Sequence, residues 1–259
     1  MSYVEGMFNL NGKVAVVLGG SGVLGGAMAI ALGKAGAKVA IVDISTKGAE
    51  QHVKAIEEAG GEGLILKADA SSKSDLAKAR NAILDRWEKV HILLYAPGVN
   101  SPTPVLEIAE EEWDKIMTVN LKGLFLACQV FGEQMIAQNE GGSIINISSV
   151  SSILPLSKVF TYSISKHGLN GLTRFLAREW APHRIRVNAI APGFFPAEQN
   201  RRLLTEERKR SIFGHTPMDR YGEPEELAGT VVWLASDQAA SFVTGAVVPV
   251  DGGFTAMTI

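Results

Sequence analysis

The chain is short of nearly everything that marks a secreted, membrane-bound or nucleic-acid-binding protein. It has one cysteine, Cys128 in the apolar run LFLACQVF, so an intrachain disulfide and a multi-cysteine metal site are both excluded. Cys128 itself reads as a small buried hydrophobe rather than a nucleophile. An excess of positive charge is missing too. With 25 Lys and Arg against 27 Asp and Glu, the formal charge of -2 provides no field for neutralising a row of phosphates, which argues against nucleic acid as a partner. No apolar stretch reaches the length of a membrane span, and the opening MSYVEGMFNLNGK lacks a basic segment followed by a long apolar one. A cytoplasmic protein with no membrane partner and no metal is expected. Pro/Ser linkers, low-complexity tracts and repeats are also absent, so residues 1–259 read as a single domain.

What the chain does have is alternation. Short β-branched runs begin at Lys13, Lys38, Leu64, His91, Gly142, Arg184 and Gly245, each continuously apolar as in strands covered on both faces. Segments of helical period lie between them, at Met28 to Ala37, Lys47 to Ala59, Leu76 to Trp87, Trp113 to Ile136, Tyr162 to Trp180 and Pro224 to Ala235. Such a series predicts an α/β protein, a three-layer doubly wound Rossmann fold with a parallel sheet and helices on both faces. The stretch from Phe194 to Arg220 resists assignment. Its length suggests a substrate lid.

The densest local signal is VLGGSGVLGG, Val17 to Gly26, with five glycines in ten residues at the first strand-to-helix turn. Gly20, Gly22 and Gly25 fit G-x-G-x-x-G, in which glycines let the backbone turn tightly and approach a pyrophosphate at a helix N-terminus. Asp43 ends the next strand, where a carboxylate accepts from both adenosine ribose hydroxyls and repels a 2′-phosphate, favouring NAD over NADP. A helix N-cap is the competing role for Asp43. Asp69 could accept from the adenine amino group, or equally cap the helix that follows.

A nucleotide site names no reaction. Tyr162 and Lys166 are four residues apart and share one helix face, so the ammonium is expected to lower the phenol pKa and make Tyr162 a general acid/base for an alcohol or ketone. Ser149, at the end of the preceding strand, is placed to bind the substrate oxygen. Ser148, Ser151 and Ser152 are its rivals.

With these residues in view, the chain resembles the short-chain dehydrogenases/reductases of the compact single-domain type. The resemblance runs through the Gly-rich turn, Asp69, YAPG from Tyr95 to Gly98, Asn120 in VNLKG, NISS, Tyr-x-x-x-Lys, IRVNAIAPG and the terminal VDGG. It implies Ser149, Tyr162, Lys166 and Asn120 as the catalytic set, with Lys166 also holding the nicotinamide ribose and Asn120 fixing a water in a proton relay. For Asn120 a structural hydrogen bond inside its helix is an equal reading. The implied cofactor site comprises Gly19, Gly20, Ser21, Gly22, Val23, Leu24, Gly25, Asp43, Asp69, Ala70, Ala96, Pro97, Gly98, Tyr162, Lys166, Pro192, Gly193 and Phe195. A homotetramer is implied as well, packed through the 113–136 and 162–180 helices and the C-terminal segment. Two departures stand out: Val23 occupies the usual middle-glycine position, and YAPG replaces Asn-Asn-Ala-Gly, which would put Tyr95 and Pro97 in the adenosine pocket wall.

Within the family the chain looks most like the branch acting on D-mannonate (D-fructuronate) and related sugar acids. Ser149, Ser151 and Tyr162, with Gln199, Asn200, Arg201, Arg202 and His215 from the lid, are the candidate substrate residues. Arg201 or Arg202 would take the carboxylate. A ketoreductase for a deoxy-ketouronate or a neutral ketose is the enzymatic alternative. A non-catalytic NAD(H)-sensing protein is the alternative of another class, although a sensor has no use for the Tyr162–Lys166 pair.

Overall fold

The computed structural model describes residues 2–196 and 205–257. Seven strands, β1 (Val14–Leu18), β2 (Lys38–Asp43), β3 (Glu62–Lys67), β4 (Ile92–Tyr95), β5 (Gly142–Ile147), β6 (Ile185–Pro192) and β7 (Val247–Val250), form one sheet in the order β3-β2-β1-β4-β5-β6-β7. Every neighbouring pair is parallel. All seven expected strands are present, and the order reverses between β1 and β4, where a crevice opens at the carboxyl ends of the strands.

Alternation along β1 shows why its apolar run is unbroken. Val14, Val16 and Leu18 point into one core, with Leu76, Ile83 and Trp87 of α4 (Lys73–Trp87), Leu124 and Phe131 of α6 (Gly123–Gln138) and Leu169 of α7 (Phe160–Trp180). Ala15 and Val17 point into the other, with Met28 and Leu32 of α2 (Val23–Lys34), Ile56 of α3 (Ala49–Glu58) and Val231 and Leu234 of α9 (Ala228–Ala235). Each fully buried Leu, Ile or Val contributes roughly 1.5–3 kcal/mol, so both faces of the strand must be apolar. Cys128 lies in the first core, its thiol pushed up to about 12 by burial, as expected of an inert packing residue.

Three elements differ from the expected pattern. A short N-terminal helix, α1 (Tyr3–Phe8), is closed by a capping box between Ser2 and Glu5. The expected helix from Trp113 to Ile136 is a longer run, α5 (Glu110–Met117) and α6 joined by a π turn at Thr118–Lys122. The stretch from Phe194 to Arg220 contains a helix, α8 (Glu206–Phe213), started by Thr205, whose hydroxyl accepts the Arg208 N–H. Residues 197–204 are outside the described part, and with them the expected substrate residues Gln199, Asn200, Arg201 and Arg202. Among the described residues, no helix is long and apolar enough to cross a membrane.

Candidate active site

The glycine turn joins β1 to α2, and its glycines do unequal work. Gly19 has φ of 74°, and a Cβ there would lie 2.8 Å from the Pro97 nitrogen, so only glycine makes this turn. At Gly25 a Cβ would meet the Gly19 carbonyl oxygen at 2.2 Å. Gly22, by contrast, has φ of -76° and nothing nearer than 3.4 Å. The turn therefore depends most on Gly19 and Gly25, Gly20 is also crowded with the Val17 carbonyl oxygen 3.0 Å from a Cβ, and the apparent middle glycine is sterically spare. Gly22 caps α2 without a side-chain bond, leaving the helix N-terminus clear beside the exposed Val23. Bare N–H donors at a helix start suit a pyrophosphate. The Ser21 hydroxyl, buried without a hydrogen-bond partner, faces the same turn.

Asp43, at the end of β2, accepts the Ser21 N–H at 3.1 Å and the Ser45 N–H at 3.2 Å. It thus ties the turn to the strand beside it. Asp69 is not an N-cap: it accepts from the backbone and hydroxyl of Ser71, while Ser72 caps α4. Tyr95 departs from expectation. It is fully buried, and its hydroxyl donates to the Val119 carbonyl in the π turn at 2.5 Å, so it belongs to the core rather than to an adenosine pocket wall. Its phenol pKa is raised by burial. Ala70 backs onto Gly123, where a Cβ would lie 3.1 Å from the Ala70 carbonyl oxygen.

The chemistry converges where β5 ends. Thr161, Ser165, Leu169, Thr173 and Ala177 form the buried stripe of α7, and Lys166 beside that stripe is only 2% exposed. Its ammonium donates to the Ile147 carbonyl at 2.7 Å and stands 5.5 Å from the Tyr162 ring centroid. Burial brings the lysine down to about 8. The phenol behaves otherwise than its spacing from a lysine suggests: burial raises the Tyr162 pKa, and only a hydrogen bond from Ser149 opposes the rise. The ammonium points at Ile147 instead of offsetting the desolvation.

The four serines sort themselves by their partners. Ser148 and Ser152 bond to each other and to Asn170 in a buried network. Ser151 donates both its N–H and its O–H to the Ser149 oxygen, at 3.2 and 3.0 Å. Ser149 consequently keeps its own O–H to donate toward Tyr162. Asn120 lies in the π turn, where its amide accepts the Val99 N–H at 2.8 Å and donates to the Val99 carbonyl and Ser165 Oγ. Its side chain is thereby satisfied structurally. A π turn shifts the following carbonyls out of helical register, and Tyr95 takes the one at Val119. Asn188, buried at β6, bonds to Val243 and Ala246 and serves the sheet.

Ser148, Ser149, Ser151, Tyr162 and Lys166, but not Asn120, line a cavity of about 530 Å³ at the carboxyl edge of the sheet. Leu24, Ala96, Gly98, Ser149, Ser151, Tyr162, Lys166, Pro192, Gly193 and Phe195, all expected from the sequence, are on its wall. His215 is not. It lines a neighbouring cavity of about 200 Å³ with Leu154 and Phe254. Sequence reasoning missed Val99, Leu156, Phe194, Ile212 and Arg208, which also line the larger cavity. An arginine in a helix of mostly charged residues carries no signal that separates it from a solvated face.

A family model described as enoyl-(acyl carrier protein) reductase matches residues 21–255. The 2-dehydro-3-deoxy-D-gluconate 5-dehydrogenase of Dickeya dadantii (strain 3937) is 37% identical over 250 residues, covering 96% of this chain and 98% of its own. The solved gluconate 5-dehydrogenase of Burkholderia cenocepacia J2315, in complex with NADP and tartrate, has a TM-score of 0.92 at 30% identity over 99% of this chain and 100% of its own. A candidate D-mannonate oxidoreductase of Haemophilus influenza, solved with bound NAD, has a TM-score of 0.91 at 30% identity over 98% and 99%. Similarity of this extent, running from the glycine turn to the C-terminal segment, makes the chain a member of the short-chain dehydrogenase/reductase family, oxidoreductases that act on CH–OH groups.

Proposed function

We propose that the protein is an NAD(H)-dependent oxidoreductase that interconverts a secondary alcohol and a ketone on a sugar acid of the D-mannonate/D-fructuronate type, as a cytoplasmic homotetramer. The observation that carries this reading is the convergence of Ser149, Tyr162 and Lys166 on one cavity at the sheet's carboxyl edge. When bound, the nicotinamide supplies or accepts the hydride. The turn from Gly19 to Gly25 would hold its pyrophosphate. Asp43 would hold the adenosine ribose, because each of its oxygens accepts one backbone N–H and keeps a lone pair for a hydroxyl. A 2′-phosphate there would meet like charge, which favours NAD. The sugar-acid part is supported by the three relatives above, all of which carry sugar-acid names.

In the direction of reduction, Tyr162 gives its proton to the substrate carbonyl oxygen and the Ser149 O–H donates a hydrogen bond to the same atom. Ser149 is a strengthened donor because its oxygen already accepts two bonds from Ser151, and hydrogen bonds in a chain polarise one another. In the reverse direction a phenolate must form, against the cost of its burial. The hydrogen bond from Ser149 lowers that cost, and the Lys166 ammonium, 5.5 Å from the ring centroid, would lower it further only by leaving the Ile147 carbonyl. Asn120 holds the loop at Val99, which lines the cavity beside Tyr162. Within the proposed lid, Phe194 to Arg220, α8 brings Arg208 and Ile212 to the cavity.

Tyr162→Phe tests the reading, since it removes the transferable proton and keeps the ring. Turnover of D-fructuronate with NADH should fall roughly a hundred-fold or more, with NADH affinity nearly unchanged by fluorescence titration. Near-normal turnover would remove Tyr162 from the chemistry.

A further inference from the structure

Two charged side chains line the cavity that holds Ser149 and Tyr162, and both are cations: Lys166 and Arg208. No aspartate or glutamate among the described residues joins them there. Lys166 is committed to the Ile147 carbonyl and the phenol. Arg208 is committed to very little. Its side chain makes one hydrogen bond, from Nη1 to Ser157 Oγ at 3.0 Å, and among the described residues no carboxylate reaches it. The neighbouring Glu206 is taken by Lys209 at 2.6 Å. Four of the five guanidinium N–H donors therefore remain for a partner.

The position is held firmly. Thr205 caps α8 on the Arg208 N–H, Ile212 one turn later is 3% exposed, and Ser157 reaches up from the loop before α7. Arg208 is half-buried on the cavity wall rather than extended into solvent. A half-buried guanidinium that no carboxylate of the described residues compensates, on the wall between this cavity and the neighbouring one lined by Ser157 and His215, suits an anion, and its planar fork matches the two oxygens of a carboxylate.

We infer that Arg208 reads the carboxylate of the substrate, with Ser157 holding one edge of the guanidinium so that the other meets the anion. This inference rests on the sugar-acid reading of the site and makes it specific. It gives the enzyme a means of preferring an acidic polyhydroxy ketone to a neutral ketose of the same length.

Calorimetry and kinetics together test it. Wild type, Arg208→Met and Arg208→Lys, each loaded with NADH, are titrated with D-gluconate and with its neutral counterpart D-glucitol. The same proteins are assayed for reduction of D-fructuronate and D-fructose. The Met variant should bind gluconate about ten- to a hundred-fold more weakly and lose its preference for acid over neutral ligand by the same factor, with the Lys variant intermediate. Equal losses on acid and neutral ligands, or unchanged gluconate affinity in the Met variant, would overturn the assignment. Failure of the underlying reading looks different. A wild type that binds gluconate through Arg208 but turns over no sugar acid keeps the carboxylate receptor and discards the proposed reaction, whereas a wild type that binds no sugar acid overturns the receptor as well. If the Met variant does not fold, as judged by its unfolding midpoint, the Lys variant carries the test, because a lysine cannot reproduce a bidentate contact.

Discussion

At Lys166 one side chain answers to two opposing demands. Catalysis wants an ammonium beside Tyr162, while the α7 stripe pulls the residue out of water. The unfolded chain keeps the ordinary lysine value of 10.5, and burial in the folded protein lowers it to about 8. Between those values the unfolded state binds more protons, so this residue's contribution to stability grows as pH rises from 8 toward 10.5 and is lost as pH falls through 8. Tyr95 and Tyr162 have raised values and act with the opposite sign above about pH 10. Urea midpoints of the unliganded wild type, relative to those of Lys166→Met, should therefore climb between pH 8 and 10. A difference that does not change with pH would mean that the ammonium is not desolvated. The four-residue spacing of Tyr162 and Lys166 was legible as a pair, but the direction of the phenol's shift was not, because burial is a property of what packs around the helix.

On the scale of elements, the β1–turn–α2 unit shows how a motif can match for the wrong residues. The sequence fits G-x-G-x-x-G at Gly20, Gly22 and Gly25, yet Gly22 is unstrained, while Gly19, outside the fit, has positive φ and Gly25 a 2.2 Å approach that leave no choice. Gly25→Ala should lower both the unfolding temperature and NADH affinity, since a Cβ would push α2 off the turn. Gly22→Ala should lower the unfolding temperature far less, because its backbone is unstrained and the gain of about 0.4–1 kcal/mol from a stiffer unfolded chain offsets the poorer N-cap that alanine gives α2. Comparable destabilisation by the two substitutions, measured by calorimetric scans of the unliganded proteins, would refute the distinction. The π turn makes the same point in another element. Asn120 was recognisable by its VNLKG setting, but not the register change that hands the Val119 carbonyl to Tyr95.

For the whole molecule, the sheet ends in two open edges that are treated differently. On the β3 side, Glu62 pairs with Lys38 and Arg86, a charged border that discourages further strand pairing. On the other side, β7 carries Pro249, which cannot donate to a neighbouring strand. Its remaining residues are only half-buried. Large apolar side chains are left in solvent on the outer helices, notably Phe125 on α6 (44% exposed) and Phe175 on α7 (73% exposed). These suit the proposed tetramer, in which such helices pack against their copies. Light scattering should give about four times the chain mass of 27.6 kDa, and Phe125→Glu with Phe175→Glu should reduce it. A monomeric wild type would remove the tetramer from the proposal.

What the sequence determined by itself is whatever depends on local order: the seven strands from their continuous apolar runs, the tight first turn from its glycines, and the shared face of Tyr162 and Lys166 from helical spacing. Ser149 could be nominated by its place after β5, though its rivals could not be dismissed. Only the tertiary structure separated them, by spending Ser148 and Ser152 on Asn170 and turning Ser151 toward Ser149. It also moved Tyr95 from a pocket wall to the core and left His215 in the neighbouring cavity. Above all it brought Arg208 to the cavity of Tyr162 from a charged helix more than forty residues away. Such choices rest on contacts between residues distant in the chain, whose partners and loss of water no periodicity records.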